Sequence, residues 1–122
     1  MKSKFTLVLG ASDNHDRTSY RALHQLQSNG HPIYAIGKRE AQVGQTLIHT
    51  SLIGLDQPVD TCTMYLNAQN QKEWYNEILR IKPNRIIFNP GSENPELEQL
   101  AEMNGIETER ACTLVLLATN KY

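Results

Sequence analysis

The segment Phe5 to Leu9, apolar apart from Thr6, stops at Gly10, and a polar loop then leads into a helical pattern. A run without polar alternation reads as a strand covered on both faces, which belongs in a mainly parallel sheet with helices on either side. The rest of the chain repeats this alternation. Tyr20, Leu23 and Leu26 recur at a spacing of three and predict a helix closed by Asn29-Gly30, residues that tolerate the left-handed conformation. Ile33 to Ile36 predicts a second strand ending at Gly37. The stretch from Lys38 to Pro58 is polar and irregular, with a short third strand expected near Leu47 to His49.

A fourth strand is expected over Thr61 to Leu66 and a fifth over Arg85 to Phe88. Between them Asn70 through Ile81 reads as a helix, with Asn70 and Glu73 spaced like a capping box and Trp74, Ile78 and Ile81 as the buried stripe. Asn94-Pro95 opens the next helix, Leu97, Leu100 and Met103 face the core, and Gly105 ends it. Ile106 to Glu109 adds a short last strand, and Thr113 to Ala118 packs back as a strand or a short helix. The order describes one Rossmann-like α/β domain over residues 1–122: a doubly wound, mainly parallel sheet of five or six strands with helices on both faces.

A chain of 122 residues suits one domain and needs neither disulfide nor metal to fold. The formal net charge of -1 speaks against a nucleic-acid footprint, and the short N-terminal apolar run speaks against a membrane span. The expected location is the cytoplasm. Cys62 and Cys112 form no CxxC pair and are expected as reduced thiols, and the four histidines stand singly, so no metal site is expected.

In doubly wound sheets ligands bind outside the carboxyl ends of the strands, where strand order reverses. Gly10, Gly37 and Leu66-Asn67 end the first, second and fourth strands and should lie together. The segment from Gly10 to Tyr20 then offers what a diphosphate needs: a close-approach glycine, free amides at a helix N-terminus, the hydroxyls of Ser12, Thr18 and Ser19, and the fork of Arg17. Ala11 and Ser12 are not followed by the second glycine of a dinucleotide fingerprint. The second strand ends in Ile36-Gly37-Lys38-Arg39 and not in an acidic residue, which suits a ribose carrying a phosphate, as in coenzyme A or NADP.

The segments Val8-Leu9-Gly10-Ala11-Ser12 and Asp16-Arg17-Thr18-Ser19-Tyr20, with Gly44, Asp60, Asn89-Pro90-Gly91-Ser92-Glu93-Asn94 and Glu109-Arg110-Ala111-Cys112, carry a resemblance over nearly the whole chain. The chain resembles the small stand-alone CoA-binding domain proteins, single-domain relatives of the nucleotide-binding domain of the succinyl-CoA synthetase α subunit. That resemblance implies that Gly10, Ala11, Ser12, Arg17, Ser19 and Tyr20, then Ile36, Gly37, Lys38 and Arg39, hold the ADP part of CoA. It implies that Leu66 and Asn67 line the adenine or pantetheine side. Relatives often carry Asn-Pro where this chain has Gly37-Lys38. The synthetase relatives use further domains for chemistry, so the expectation is binding of CoA or an acyl-CoA without ligase activity, in service of a partner enzyme or as a homodimer. A small NADP-dependent oxidoreductase is the alternative.

No catalytic residue is assigned. His15 beside Asp16 does not make a general base, because adjacent residues seldom face one reacting atom. Glu93 reads as an acidic residue near a helix N-terminus, Asn94 as that helix's cap, Cys112 as a structural thiol and Trp74 as core.

Overall fold

The computed structural model describes residues 2–122. Seven strands, β1 (Thr6–Leu9), β2 (Ile33–Ile36), β3 (Ala41–Val43), β4 (Thr46–His49), β5 (Thr61–Met64), β6 (Arg85–Phe88) and β7 (Glu107–Arg110), form one sheet in the order β3-β4-β2-β1-β5-β6-β7. Every pairing is parallel except that of β3 with β4. The central position of β1 matches its composition: all four of its residues are buried. The strand order reverses there, with β2 on one side and β5 on the other, so the ends of these three strands lie side by side as expected.

Helices cover both faces. On one, Leu23 and Leu26 of α1 (Thr18–Ser28) and Leu117 of α5 (Thr113–Ala118) pack on Val8, Ala35, Ile48 and Ile87. On the other, Ile78 of α3 (Tyr75–Ile81) and Leu97 and Ala101 of α4 (Pro95–Met103) meet Leu7, Leu9, Ile36, Met64, Ile86 and Phe88. Each such fully buried side chain stabilises the fold by about 1.5–3 kcal/mol relative to leaving it in water.

Four details correct the sequence reading. The sheet has seven strands, not five or six, because Ala41–Val43 turns back through Gly44 and Gln45 as an antiparallel edge hairpin with β4. The helix expected from Asn70 starts earlier, as the short α2 (Ala68–Gln71), and passes through a 3-10 turn at Lys72–Trp74 before α3. Its cap is Asn67, whose side chain accepts from the Asn70 N–H at 2.9 Å, so Asn70 is the third helical residue and not the cap. In α4 the inward partner of Leu97 is Ala101, one helical turn on, and Met103 stands 73% exposed. Thr113–Ala118 is helical. Asn94 caps α4 through Leu97 N–H with Pro95 at the first position, as expected.

Candidate functional site

A cleft of about 870 Å³ opens at the carboxyl edge of the sheet, between the loop after β1, the ends of β2 and β5, and the start of α5. That volume lies within the ~300–1,000 Å³ of small-molecule sites. Gly10, Ala11, Ser12, Arg17, Ser19, Lys38, Arg39, Leu66 and Asn67 line it, together with Asp13, Asp16, Arg21, Tyr65, Asn89, Cys112 and Leu114.

Two glycines shape the opening. Gly10 has φ +98, and a Cβ there would lie 2.9 Å from the Tyr65 carbonyl carbon and 3.0 Å from the Leu66 nitrogen, both backbone atoms. Only glycine lets the chain leave β1 against the end of β5. Gly37 lies under the loop: a Cβ there would be 2.5 Å from the Ala11 oxygen and 2.8 Å from Ile48 Cγ2. The Ile36 carbonyl accepts from both Gly10 N–H (3.0 Å) and Ala11 N–H (2.8 Å), which ties the loop to β2.

Those bonds remove the Gly10 and Ala11 amides from any ligand. Among the described residues, no protein acceptor meets the amides of Ser12, Asp13, Thr18 or Ser19. The cap position of α1, Arg17, makes no side-chain capping bond, and the first turn carries no acidic residue. A helix start left without a capping side chain retains its orphan donors and its positive dipole end. The Ser12 hydroxyl accepts from Asn14 N–H at 3.0 Å, which bends the loop and leaves the hydroxyl proton free to donate. Arg39 donates to Asp13 at 2.9 Å in an exposed pair, so it closes the loop's outer edge rather than standing free. Such a surface pair contributes about 0–1 kcal/mol. Arg17, Arg21 and Lys38 enter no ion pair among the described residues.

Three residues expected at the site stand behind it. Tyr20 packs half-buried between His15 and His24, with ring centroids 4.5 Å and 4.7 Å away. Ile36 is buried in the core under α3 and α4. Gly37 supports the Ala11 loop. None of the three is on the cleft wall.

The opposite wall drew no sequence expectation beyond Leu66 and Asn67. Tyr65 faces the same side as α5, and burial pushes its hydroxyl up to about 12 despite the Thr63 and Thr113 hydroxyls beside it. Asn89 is buried and bridges β6 to β5 and α5: its amide donates to Thr63 Oγ1 and the Met64 carbonyl, and its oxygen accepts from Thr113 N–H at 2.8 Å. Cys112 is a free thiol at the mouth, whereas Cys62 is buried in the core and its thiol is pushed up to about 12 by that burial. Glu93 accepts from Gly91 N–H at 3.0 Å and lies off the cleft wall. Among the described residues no cluster of three His, Cys, Asp or Glu side chains could hold a metal ion, and no helix is long and apolar enough to cross a membrane.

Fold and cleft together define a Rossmann-like α/β protein with a cleft at the strand-order reversal. Residues 4–118 match the CoA-binding domain family, and the chain belongs to that family. Its structure is similar to a crystal structure of an uncharacterized protein, with 42% identity, TM-score 0.94 and complete coverage of both chains. It is similar in fold to cell-free ID.343 from Thermus thermophilus, at 20% identity and TM-score 0.86, covering 98% of this chain and 91% of that one. A hypothetical protein from Pyrococcus horikoshii OT3 shares the fold at 15% identity and TM-score 0.84, covering 93% and 81%. No curated protein matches the chain.

Proposed function

We propose that the cleft holds coenzyme A or an acyl-CoA as an intact ligand, with no ligase chemistry from this chain. The observation that carries the reading is the set of unpartnered donors on one wall: the amides of Ser12, Asp13, Thr18 and Ser19 beside the unpaired cations Arg17, Arg21 and Lys38. Fixed N–H groups at a helix start and free guanidinium forks suit a diphosphate, and Lys38, at the end of β2, suits the ribose phosphate. Asp13 draws Arg39 to the rim, so the 3'-phosphate falls to Lys38 first, with Arg39 free to exchange partners. Leu66, Tyr65, Leu114 and Cys112 offer the less charged wall along which a pantetheine arm would run.

The test is a calorimetric and thermal-shift titration with CoA, dephospho-CoA and NADPH. CoA should raise Tm saturably, since a ligand that binds only the native state stabilises it by mass action. Arg17→Gln should weaken CoA by about tenfold, the effect of losing one exposed charge-assisted contact of about 1.4 kcal/mol. Lys38→Gln should weaken CoA while leaving dephospho-CoA unchanged. Stabilisation by NADPH without any by CoA would replace this reading with an NADP site.

A further inference from the structure

At the amino edge of the sheet, opposite the cleft, Tyr122 is buried in a clamp built from residues at or just before the starts of β1, β2 and β6. Its hydroxyl bonds Thr6 Oγ1, its carbonyl accepts from Lys4 Nζ at 2.9 Å, the Arg85 guanidinium lies 4.6 Å over its ring, and the His31 ring packs 4.8 Å away. The same short segment that ends in this clamp begins at the cleft, where Cys112 and Leu114 form part of the wall. We propose that Cys112–Tyr122 is a latch, clamped at Tyr122 by neutral His31 and released by its protonation, so that the cleft loses its ligand on acidification. The inference rests on the CoA reading of the cleft.

The geometry of His31 makes the clamp proton-sensitive. The imidazole is 3% exposed, and its Nδ1 accepts from the Lys4 backbone N–H at 3.0 Å. The ring proton of the neutral form therefore sits on Nε2, and a second proton can enter only at Nδ1, where it displaces the Lys4 bond. Lys4 is also the residue whose side chain holds Tyr122. The charged groups facing the ring are Lys4 from the start of β1, Arg85 from β6 and Asp60 from the start of β5, while Tyr122, raised by burial, stays neutral. Burial first, then Lys4 and Arg85, hold His31 below the ordinary histidine value, against the opposing pull of Asp60. The closed latch therefore has its full stability above the ordinary value of about 6.5 and loses it as pH falls below that toward the lowered folded value.

Buried polar atoms without partners lie at both ends of the segment, about the clamp and on the cleft wall. Among the described residues, the buried side-chain polar atoms without a hydrogen bond are His31 Nε2, Tyr65 Oη, Arg85 Nη2 and Glu109 Oε1. His31 and Arg85 touch Tyr122, Tyr65 packs in the same core group, and Glu109 lies 3.9 Å from Arg85. Orphaned groups of this kind carry a desolvation cost that opening relieves.

The experiment is hydrogen exchange of the 113–122 amides, expressed as protection relative to the unstructured peptide, at ~pH 7.5 and ~pH 5.5 on either side of the histidine value. CoA affinity is measured in parallel by calorimetry. In the unsubstituted chain the segment's protection should fall, by at most about the tenfold that an ordinary histidine's titration between those pH values allows, while β1 and β5 stay protected. CoA affinity should fall with it. His31→Gln keeps an acceptor for Lys4 and does not titrate, so its segment protection should be flat; the ligand's own phosphate titration near pH ~6 is common to both proteins. Protection that is pH-independent in the unsubstituted chain, that is lost equally from β1 and β5, or that still titrates in His31→Gln overturns the latch. Should His31→Gln not fold, the comparison of segment with β1 and β5 decides the matter. If CoA fails to bind at either pH, the ligand reading fails while segment exchange still tests the clamp.

Discussion

Gly37→Ala adds one methyl group in a place the ligand is not expected to touch. The new Cβ would meet the Ala11 carbonyl oxygen at 2.5 Å and Ile48 Cγ2 at 2.8 Å, where ordinary contacts begin near 3.4 Å. Neither neighbour is a flexible side-chain end: Ala11 is loop backbone pinned to Ile36, and Ile48 is buried in the core. Relieving the clash moves the loop by several tenths of an ångström and costs about 1–3 kcal/mol, the usual penalty of overpacking. For a chain of this size that lowers Tm by about 3–10 °C. The displaced loop carries the Ser12 and Asp13 amides with it, so CoA affinity should fall by about tenfold or more as hydrogen-bond geometry degrades. Gly30→Ala is the control: its φ is +79, nothing lies within 4 Å of the added Cβ, and Gly30 ends α1 far from the cleft. It should lose about 1 kcal/mol through left-handed strain alone and keep its CoA affinity. Thermal denaturation with and without CoA reads both quantities in both variants. A Gly37→Ala protein with unchanged Tm and unchanged CoA affinity would refute the idea that Gly37 serves the loop from behind.

Asn94→Ala removes the cap of α4 and also the amide that donates to Gln71 Oε1 and Tyr75 Oη, both at 2.8 Å, so a loss of about 2–4 kcal/mol is expected in denaturant unfolding. Tyr65→Phe deletes a buried hydroxyl that has no partner and should leave stability unchanged or raise it by up to about 1 kcal/mol, a sign that thermal melting reads directly. Lys82→Gly relieves a non-glycine residue at φ 50 at the end of α3, and a gain of about 0.5 kcal/mol in chemical unfolding is the expected balance of strain against chain entropy.

The layered fold was legible because β1, β2, β5 and β6 are short runs of apolar and β-branched residues and because α4 carries Asn94-Pro95 at its start. The edge hairpin escaped because β3 has three residues, too few for an alternation to register, although Gly44-Gln45 between Val43 and Thr46 is a two-residue turn signal. The Asn70 cap failed because Asn67 and Asn70 are both plausible caps three residues apart, and only the side-chain bond distinguishes them. At the cleft, topology brought the ends of β1, β2 and β5 together, and the family resemblance named the residues expected there. Neither topology nor a resemblance between sequences separates a residue on the wall from one just behind it, which is why Tyr20, Ile36 and Gly37 were grouped with Ser12 and Arg17. Cys112 and Leu114 were missed for a different reason: a six-residue helix returning over β5 and β6 has no periodicity long enough to show where it packs.

The two walls of the cleft differ in what holds them. The α1 wall stands on Ala22, Leu23 and Leu26, all fully buried, and apolar burial of that kind resists opening. The α5 wall stands on Leu117 in the same core group, but its cleft end is set by hydrogen bonds: Thr63 meets Thr113 at 2.8 Å, and Asn89 bonds both. Each such bond nets only about 0.5–1.5 kcal/mol, yet its direction fixes where Thr113, and with it Cys112 and Leu114, must stand when the segment is closed. A cleft end set by the direction of a few hydrogen bonds is well placed when shut and opens at little cost. A ligand with a constant nucleotide end and a variable acyl end asks for that division: a rigid anchor at the helix start, and beyond it a wall able to yield.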